Sequence, residues 1–324
     1  MTSHQAAQPM ISFIVPYYNL PKALLCECID SILALPLDDN EREIVVVDDG
    51  SSFCPLNEME DYRDRLIYVR QNNAGLSEAR NRGIGISTGR YIQFVDGDDC
   101  LIGSGYEHCL SVVRKDDTVD LLMFHPTTEQ EVVQNIADNE PQSGSAYMKH
   151  ENLRASAWGY LFKRSILGKL RFTPGLLHED EDFTPQLMLR AEKVVETTAV
   201  AYYYRQRDNS IMTNLDPAHV EKRLNDKESI IGKLHVMADR LPMADRLGMQ
   251  RRVHQLTMDY LYDTIVTTRS EEELERRIRQ LEQKGLFPLP DKDYTQKYKW
   301  FRLLSKNKLT RKLLMKAVLK AENR

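Results

Sequence analysis

The chain has 324 residues, 42% of them hydrophobic and 28% charged, and carries a formal net charge of −4. That length is about twice an ordinary domain, and the composition is that of a soluble globular protein, which excludes fibrous and disordered classes. No apolar run reaches about 18 residues, and residues 1–10 lack a basic segment followed by an apolar one, so neither a spanning helix nor a signal peptide is expected and a cytoplasmic location is.

Five cysteines, Cys26, Cys28, Cys54, Cys100 and Cys109, are an odd number without C-x-x-C spacing. They are expected to be free thiols, neither a disulfide framework nor a zinc knuckle. The modest net charge hides an asymmetry: residues 292–324 hold eleven Lys/Arg against two Asp/Glu, or +9, which leaves −13 for the first 291. A basic tail of that kind suits an anionic surface.

In chain order, ISFIVP at 11–16 is an apolar, β-branched run ended by proline and predicts a buried strand with a sharp exit at Tyr17, Tyr18 and Asn19. Apolar residues at helical spacing over 21–35, with Pro21 in the first turn, predict a helix. EIVVV at 43–47 predicts a second strand, which runs into Asp48, Asp49, Gly50, Ser51 and Ser52. After a weak helix near 56–62 and a short strand at 66–69, the residues Gln71 to Gly75 open a helix over 76–86 that carries Arg80 and Asn81 one turn in.

The next strand, at 91–95, stops in an acidic turn made by Asp96, Gly97, Asp98 and Asp99. Gly97 permits a bend that aims two carboxylates at one point, which suits a hard divalent cation such as Mg2+ or Mn2+. Asp and Gly are also the commonest turn formers, so a plain turn or cap suits the same residues. Strands that are continuous apolar runs alternating with helices indicate a mostly parallel, twisted, Rossmann-like sheet flanked by helices, an α/β fold whose polar clusters gather along one sheet edge. Gly83, Gly85 and Gly89 miss the G-x-G-x-x-G spacing and no phosphate-binding P-loop is present, so neither of those nucleotide motifs is supported.

Farther along, a helix near 106–113 and strands at 120–124 and 131–136 are expected, and 147–167, with Trp158, is of mixed periodicity. His178, Glu179, Asp180, Glu181 and Asp182 precede an apolar helical pattern; acids in a first turn also complement the helix dipole. An edge strand at 200–205 leads to Arg207. From 217 to about 283 the pattern is helical, and 298–319 reads as basic amphipathic helices that suit a membrane surface or a solvated, packed position.

Taken together, VPYYN at 15–19, VVDDGS at 46–51, NNAGLSEARN at 72–81, FVDGDD at 94–99 and HEDEDF at 178–183 resemble, in order and spacing, the family 2 glycosyltransferases of the GT-A fold. The resemblance covers roughly residues 10–212. It implies a nucleotide-sugar-binding and catalytic domain over 1–215, followed by a C-terminal helical region with the basic tail over 216–324. It also implies bound Mn2+ or Mg2+, and inverting transfer. Residue by residue, it implies that Pro16, Tyr18, Asp48, Asp49, Gly75 and Arg80 serve the nucleotide sugar, Asp98 the metal, Asp96 the ribose or metal, and Asp180 the acceptor proton as catalytic base. Trp158, His178, Glu179 and Arg207 stand as candidates for the acceptor or diphosphate.

The expected activity is therefore metal-dependent transfer of a sugar, from a UDP-sugar, to a hydroxyl of a glycan or lipid-linked acceptor at the inner face of the cell membrane. No nucleic-acid partner is expected. A sugar nucleotidyltransferase and a non-catalytic nucleotide-sugar binding module are the alternatives. The first lacks a glycine-rich basic phosphate loop near the first strand, and the second leaves Asp180 and Asp98 without a task.

Overall fold

A computed structural model of the chain describes residues 8–55, 59–129, 132–207 and 216–322. They divide into two compact units. One holds residues 8–144 and 154–207, the other 145–153 and 216–322.

The first unit is built on one eight-stranded sheet in the order β3-β2-β1-β4-β7-β6-β8-β5. Strand β1 (Ile11–Tyr17) lies between β2 (Arg42–Asp48) and β4 (Tyr91–Phe94), parallel to both, and β3 (Ile67–Arg70) is parallel to β2. All seven residues of β1 are buried. Its two faces meet different helices: Phe13 and Val15 pack with Leu25, Ile29 and Ile32 of α1 (Lys22–Leu33) and Tyr106 of α3 (Gly103–Lys115). On the other face, α2 (Leu76–Ile86) brings Gly83 against Ile14 of β1 and Ala79 against Val45 and Val47 of β2. Each such fully buried apolar side chain contributes about 1.5–3 kcal/mol, which explains why a strand covered on both faces reads as an unbroken apolar run.

Beyond β4 the parallel pattern expected from the sequence changes. Strand β7 (Tyr160–Lys163) is antiparallel to both β4 and β6 (Leu121–Thr127), β6 is parallel to β8 (Val194–Tyr203), and the two-residue β5 (Cys100–Leu101) pairs antiparallel with β8. The sheet is therefore mixed. Strand β8 is longer than the expected edge strand and sits inside the sheet, because β5 takes the edge.

The strand expected over 131–136 does not form across its described residues 132–136. The Gln134 side chain instead imitates a strand partner: its amide donates to the Val200 carbonyl at 2.8 Å and accepts from the Val200 N–H at 3.1 Å. Of the weak helix expected near 56–62, residues 56–58 lie outside the described ones and Glu60–Tyr62 form a 3-10 turn.

The second unit is helical: α6 (Pro217–Ala238), α7 (Met243–Thr268), α8 (Glu271–Gln283), α9 (Gln296–Ser305) and α10 (Lys308–Glu322). Its starts follow capping chemistry, with Asp216 before Pro217 and Ser270 accepting from Glu273 N–H. Helix α7 is central. It packs on α6, α8, α9 and α10, and Gly248 lets it approach the Ser145 carbonyl, where a Cβ would sit 2.5 Å from the oxygen. A fully buried Arg277 is held by Glu221, Glu273 and the Tyr260 hydroxyl, as a charge out of water requires.

Candidate active site

The polar clusters that follow β1, β2, β3 and β4 all lie at the carboxyl ends of parallel strands, where open α/β sheets bind ligands. The turn after β4 closes with Asp99 N–H donating to the Asp96 carbonyl at 2.9 Å. Gly97 is needed there because a Cβ would come 3.0 Å from the Pro16 carbonyl.

The turn sorts its three carboxylates. Asp99 is buried, accepting from the Tyr202 hydroxyl at 2.8 Å and the Arg205 N–H at 2.8 Å. Burial first, then the charge of Asp96, pushes its carboxyl up to about 8. Asp96 and Asp98 keep 27% and 18% of their side chains exposed. Asp98 meets Arg207 at 2.6 Å, yet burial and the neighbouring Asp96 still hold its carboxyl above the ordinary range.

Arg80 joins this turn to the acidic start of α5 (Glu179–Met188). Its guanidinium donates to Asp96 at 2.9 Å and to Glu179 at 2.5 Å while resting over the rings of Phe94 and Phe172. Burial alone would push its pKa down; Asp96, Glu179 and Asp180 outweigh that and hold it above its usual value. Asp180 accepts from the Glu181 N–H at 2.9 Å. Burial, then Glu179 and Glu181, push its carboxyl up to about 8 against the opposing charge of Arg80. Asp96, Glu179 and Asp180 thus act on one buried cation, and His178 enters the helix with a left-handed φ of 62°.

On the β2 side, Asp48 is fully buried, accepting from Ser51 N–H at 2.8 Å and the Tyr68 hydroxyl at 2.7 Å, with Arg70 at 3.6 Å. Asp49 accepts from the Gln71 side chain at 2.8 Å, Ala74 N–H at 2.9 Å and Gly75 N–H at 2.7 Å. A carboxylate has about four lone-pair sites. Asp49 therefore holds the loop after β3 in place, while Asp48 ties the turn after β2 to Tyr68 and Arg70 of β3. Gly75 begins α2 at φ 90°, a conformation that costs glycine little. Pro16 is buried and Tyr18 is half exposed beside it.

Arg80, expected to serve the nucleotide sugar, is buried and bonded to the carboxylates of Glu179 and Asp96. Trp158 stacks on Tyr202 at 4.5 Å between centroids and on Tyr204 at 5.8 Å, so much of its ring is engaged within the protein. Asp182 is buried and bonded to Thr173 and Gln186. Tyr202 and Arg205 matter more than sequence suggested: besides the bonds to Asp99, Tyr202 accepts from Asp96 N–H at 3.1 Å, and Arg205 ties the Asp98 carbonyl to Glu27. Arg205 stands beside Arg207 as a cation in the sequence, but only a register placing the end of β8 beside the acidic turn shows that it and Tyr202 brace that turn.

Asp96 and Asp98 offer oxygen donors alone, each beside a guanidinium, Arg80 at 2.9 Å and Arg207 at 2.6 Å, and burial, then the charge of Asp96, raises the carboxyl of Asp98. Among the described residues, no group of three or more His, Cys, Asp or Glu side chains is arranged as a complete metal cage. Two carboxylates whose remaining positions are completed by substrate phosphates fit Mg2+ or Mn2+.

A family model described as Glycosyl transferase family 2 matches residues 12–170. The chain is 32% identical over 220 residues to Glycosyltransferase GlyA of Streptococcus pneumoniae, a match covering 62% of this chain and 31% of the relative's own length, so it spans about a third of that protein. It is 28% identical over 294 residues to Uncharacterized glycosyltransferase EpsJ of Bacillus subtilis, covering 84% of this chain and 83% of the relative. Among solved structures, S. aureus TarS 1-349 in complex with UDP-GlcNAc matches with TM-score 0.57 at 17% identity, covering 90% of each chain. Mannosyltransferase PcManGT from Pyrobaculum calidifontis, in complex with GDP-Man and Mn2+, matches with TM-score 0.57 at 15% identity, covering 97% of this chain and 86% of the other.

Proposed function

The chain is a family 2 glycosyltransferase of the GT-A fold, and on that premise we propose that it moves a hexosyl or N-acetylhexosaminyl group from a UDP-sugar to a hydroxyl of a glycan or lipid-linked acceptor, with inversion. The observation that carries this reading is the Arg80 bridge, because it holds the acidic turn after β4 and the acidic start of α5 around one cation. The GT-A likeness to a UDP-GlcNAc complex supports the donor class.

In this mechanism Asp98 and Asp96 would hold a divalent cation, which would supply neutralisation of the charge developing on the departing diphosphate. Pro16, Tyr18 and the loop held by Asp49 face the nucleoside, while Arg207, paired with Asp98, serves the diphosphate. The acceptor oxygen bonds to the anomeric carbon as the bond to the diphosphate breaks, and its proton passes to the Asp180 carboxylate. A positioned base contributes about 10²–10⁴-fold, most effectively when its pKa lies near the working pH; a carboxyl pushed up to about 8 suits that task. The carbon passes through an oxocarbenium-like state, so a base facing it across from the leaving group inverts the configuration.

Incubation with Mn2+ and a panel of UDP-, GDP- and dTDP-sugars is expected to give slow hydrolysis with UDP donors alone; no turnover of any donor would refute the proposal. Asp180→Asn is expected to retain donor binding and lose transfer, and Asp98→Ala to lose metal-dependent binding. Loss of both properties in Asp180→Asn would make that residue structural.

A further inference from the structure

The basic tail does not take part in the chemistry proposed above, and the helical unit shows how its charge is distributed. Four of its cations are engaged internally: Lys299 with Asp293, Arg302 with Asp291, Arg311 with Glu275 and Lys312 with Glu271. Lys306, Lys316 and Lys320 are exposed and have no acidic partner among the described residues.

Apolar residues lie on the same outward surfaces. Helix α10 buries Leu314, Met315 and Val318 inward, yet leaves Leu309 80% and Leu313 59% exposed one turn apart. Helix α9 buries Tyr298 and Phe301 and leaves Trp300 62% and Leu303 44% exposed three residues apart. Four large side chains in water on two consecutive helices are a surface waiting for a partner. Exposed Trp, Leu and Lys side chains on amphipathic helices make up the composition of an interfacial helix. Two copies of this surface would bring like charges together, whereas an anionic bilayer satisfies both the lysines and the leucines. Among the described residues no helix is long and apolar enough to cross a membrane, so the contact would be one of lying on the surface.

We propose that α9 and α10 form a docking face for an anionic lipid bilayer, in which Trp300, Leu303, Leu309 and Leu313 enter the headgroup boundary and Lys306, Lys316 and Lys320 pair with lipid phosphates. The inference deepens the reading of a lipid-linked acceptor and rests on it only for its biological purpose.

Flotation of the full chain with vesicles tests it. Binding is expected to vesicles of phosphatidylcholine and phosphatidylglycerol in equal parts, to weaken with salt, and to be far weaker to phosphatidylcholine alone. The triple variant Lys306→Gln, Lys316→Gln, Lys320→Gln is expected to bind about a hundredfold more weakly, at about fivefold per lysine. The pair Trp300→Ser, Leu309→Ser is expected to lose binding while UDP-sugar hydrolysis in vesicle-free solution stays at the wild-type rate. Vesicle binding unchanged in both variants overturns the proposal, as does a wild-type chain that ignores anionic vesicles while still hydrolysing its donor. A dimer in sedimentation that Trp300→Ser, Leu309→Ser dissociates would reassign the face to a second copy. Failure of donor hydrolysis with vesicle binding intact would instead strike the transferase reading.

Discussion

Arg80 shows how one side chain ties together acids distant in sequence. Its two carboxylate partners lie 16 and 99 residues away, and all three groups are largely out of water. Removing one partner from such a group leaves uncompensated buried charge and costs about 3–5 kcal/mol. Arg80→Ala is accordingly expected to lower the unfolding free energy by that much, read from denaturant titration. Arg80→Lys, whose single ammonium cannot fork to two carboxylates, is expected to fold but transfer slowly; equal rates for wild type and Arg80→Lys would remove the bridge from the mechanism. Asp180 carries a pH signature. Its carboxyl binds a proton more tightly when folded, at about 8, than at the ordinary value of about 4 in the unfolded chain. Between those values the folded state holds more protons, so stability falls as pH rises through that window and is fully present below it. Asp180→Asn removes this dependence and is expected to melt higher than wild type at about pH 8, with the difference vanishing toward about pH 4. A difference that does not change with pH would contradict the assignment.

At the level of elements, α2 presents the Asp49 loop at its start and Arg80 one turn later, so its seating on the sheet positions both groups of the proposed nucleotide site. That seating depends on Gly83, where a Cβ would fall on the Cγ2 of Ile14 in β1. Gly83→Ala forces the helix outward, and overpacking of this kind costs about 1–3 kcal/mol. Loss of donor affinity is expected with it, read by titration calorimetry; unaltered affinity would mean that the helix position does not matter to the site. The element pattern also shows what sequence periodicity can carry. Helix α2 and the strands β1, β2 and β4 were readable because apolar runs and turn residues are local signals. Strands β7 and β8 were harder, since antiparallel pairing and the two-residue β5 depend on partners far away in the chain.

For the molecule as a whole, the chain should respond to its donor as a folded enzyme does. A ligand that binds only the native state stabilises it by about 2.7 kcal/mol at a hundred times its dissociation constant. UDP with Mn2+ is therefore expected to raise the melting temperature, and chelation of the metal to abolish the rise. A rise that survives chelation would place nucleotide binding outside the Asp96 and Asp98 pair. The sequence-level charge of the tail likewise acquires meaning only in three dimensions, because four of its cations are held in internal ion pairs while Lys306, Lys316 and Lys320 are exposed.

From sequence alone came the α/β alternation, the helical C-terminal region and the placement of polar clusters after strands, since strand and helix periods, proline and glycine turns and acidic first turns are encoded among neighbours. Tertiary structure decided which carboxylates remain available. Asp48, Asp99 and Asp182 look like Asp96, Asp98 and Asp180 in a motif, but burial and hydrogen bonds within the protein hold the first three in the scaffold. The physical reason is that a carboxylate's availability is set by the donors and charges the fold brings within a few ångströms of it, and those come from residues that sequence spacing does not bring together.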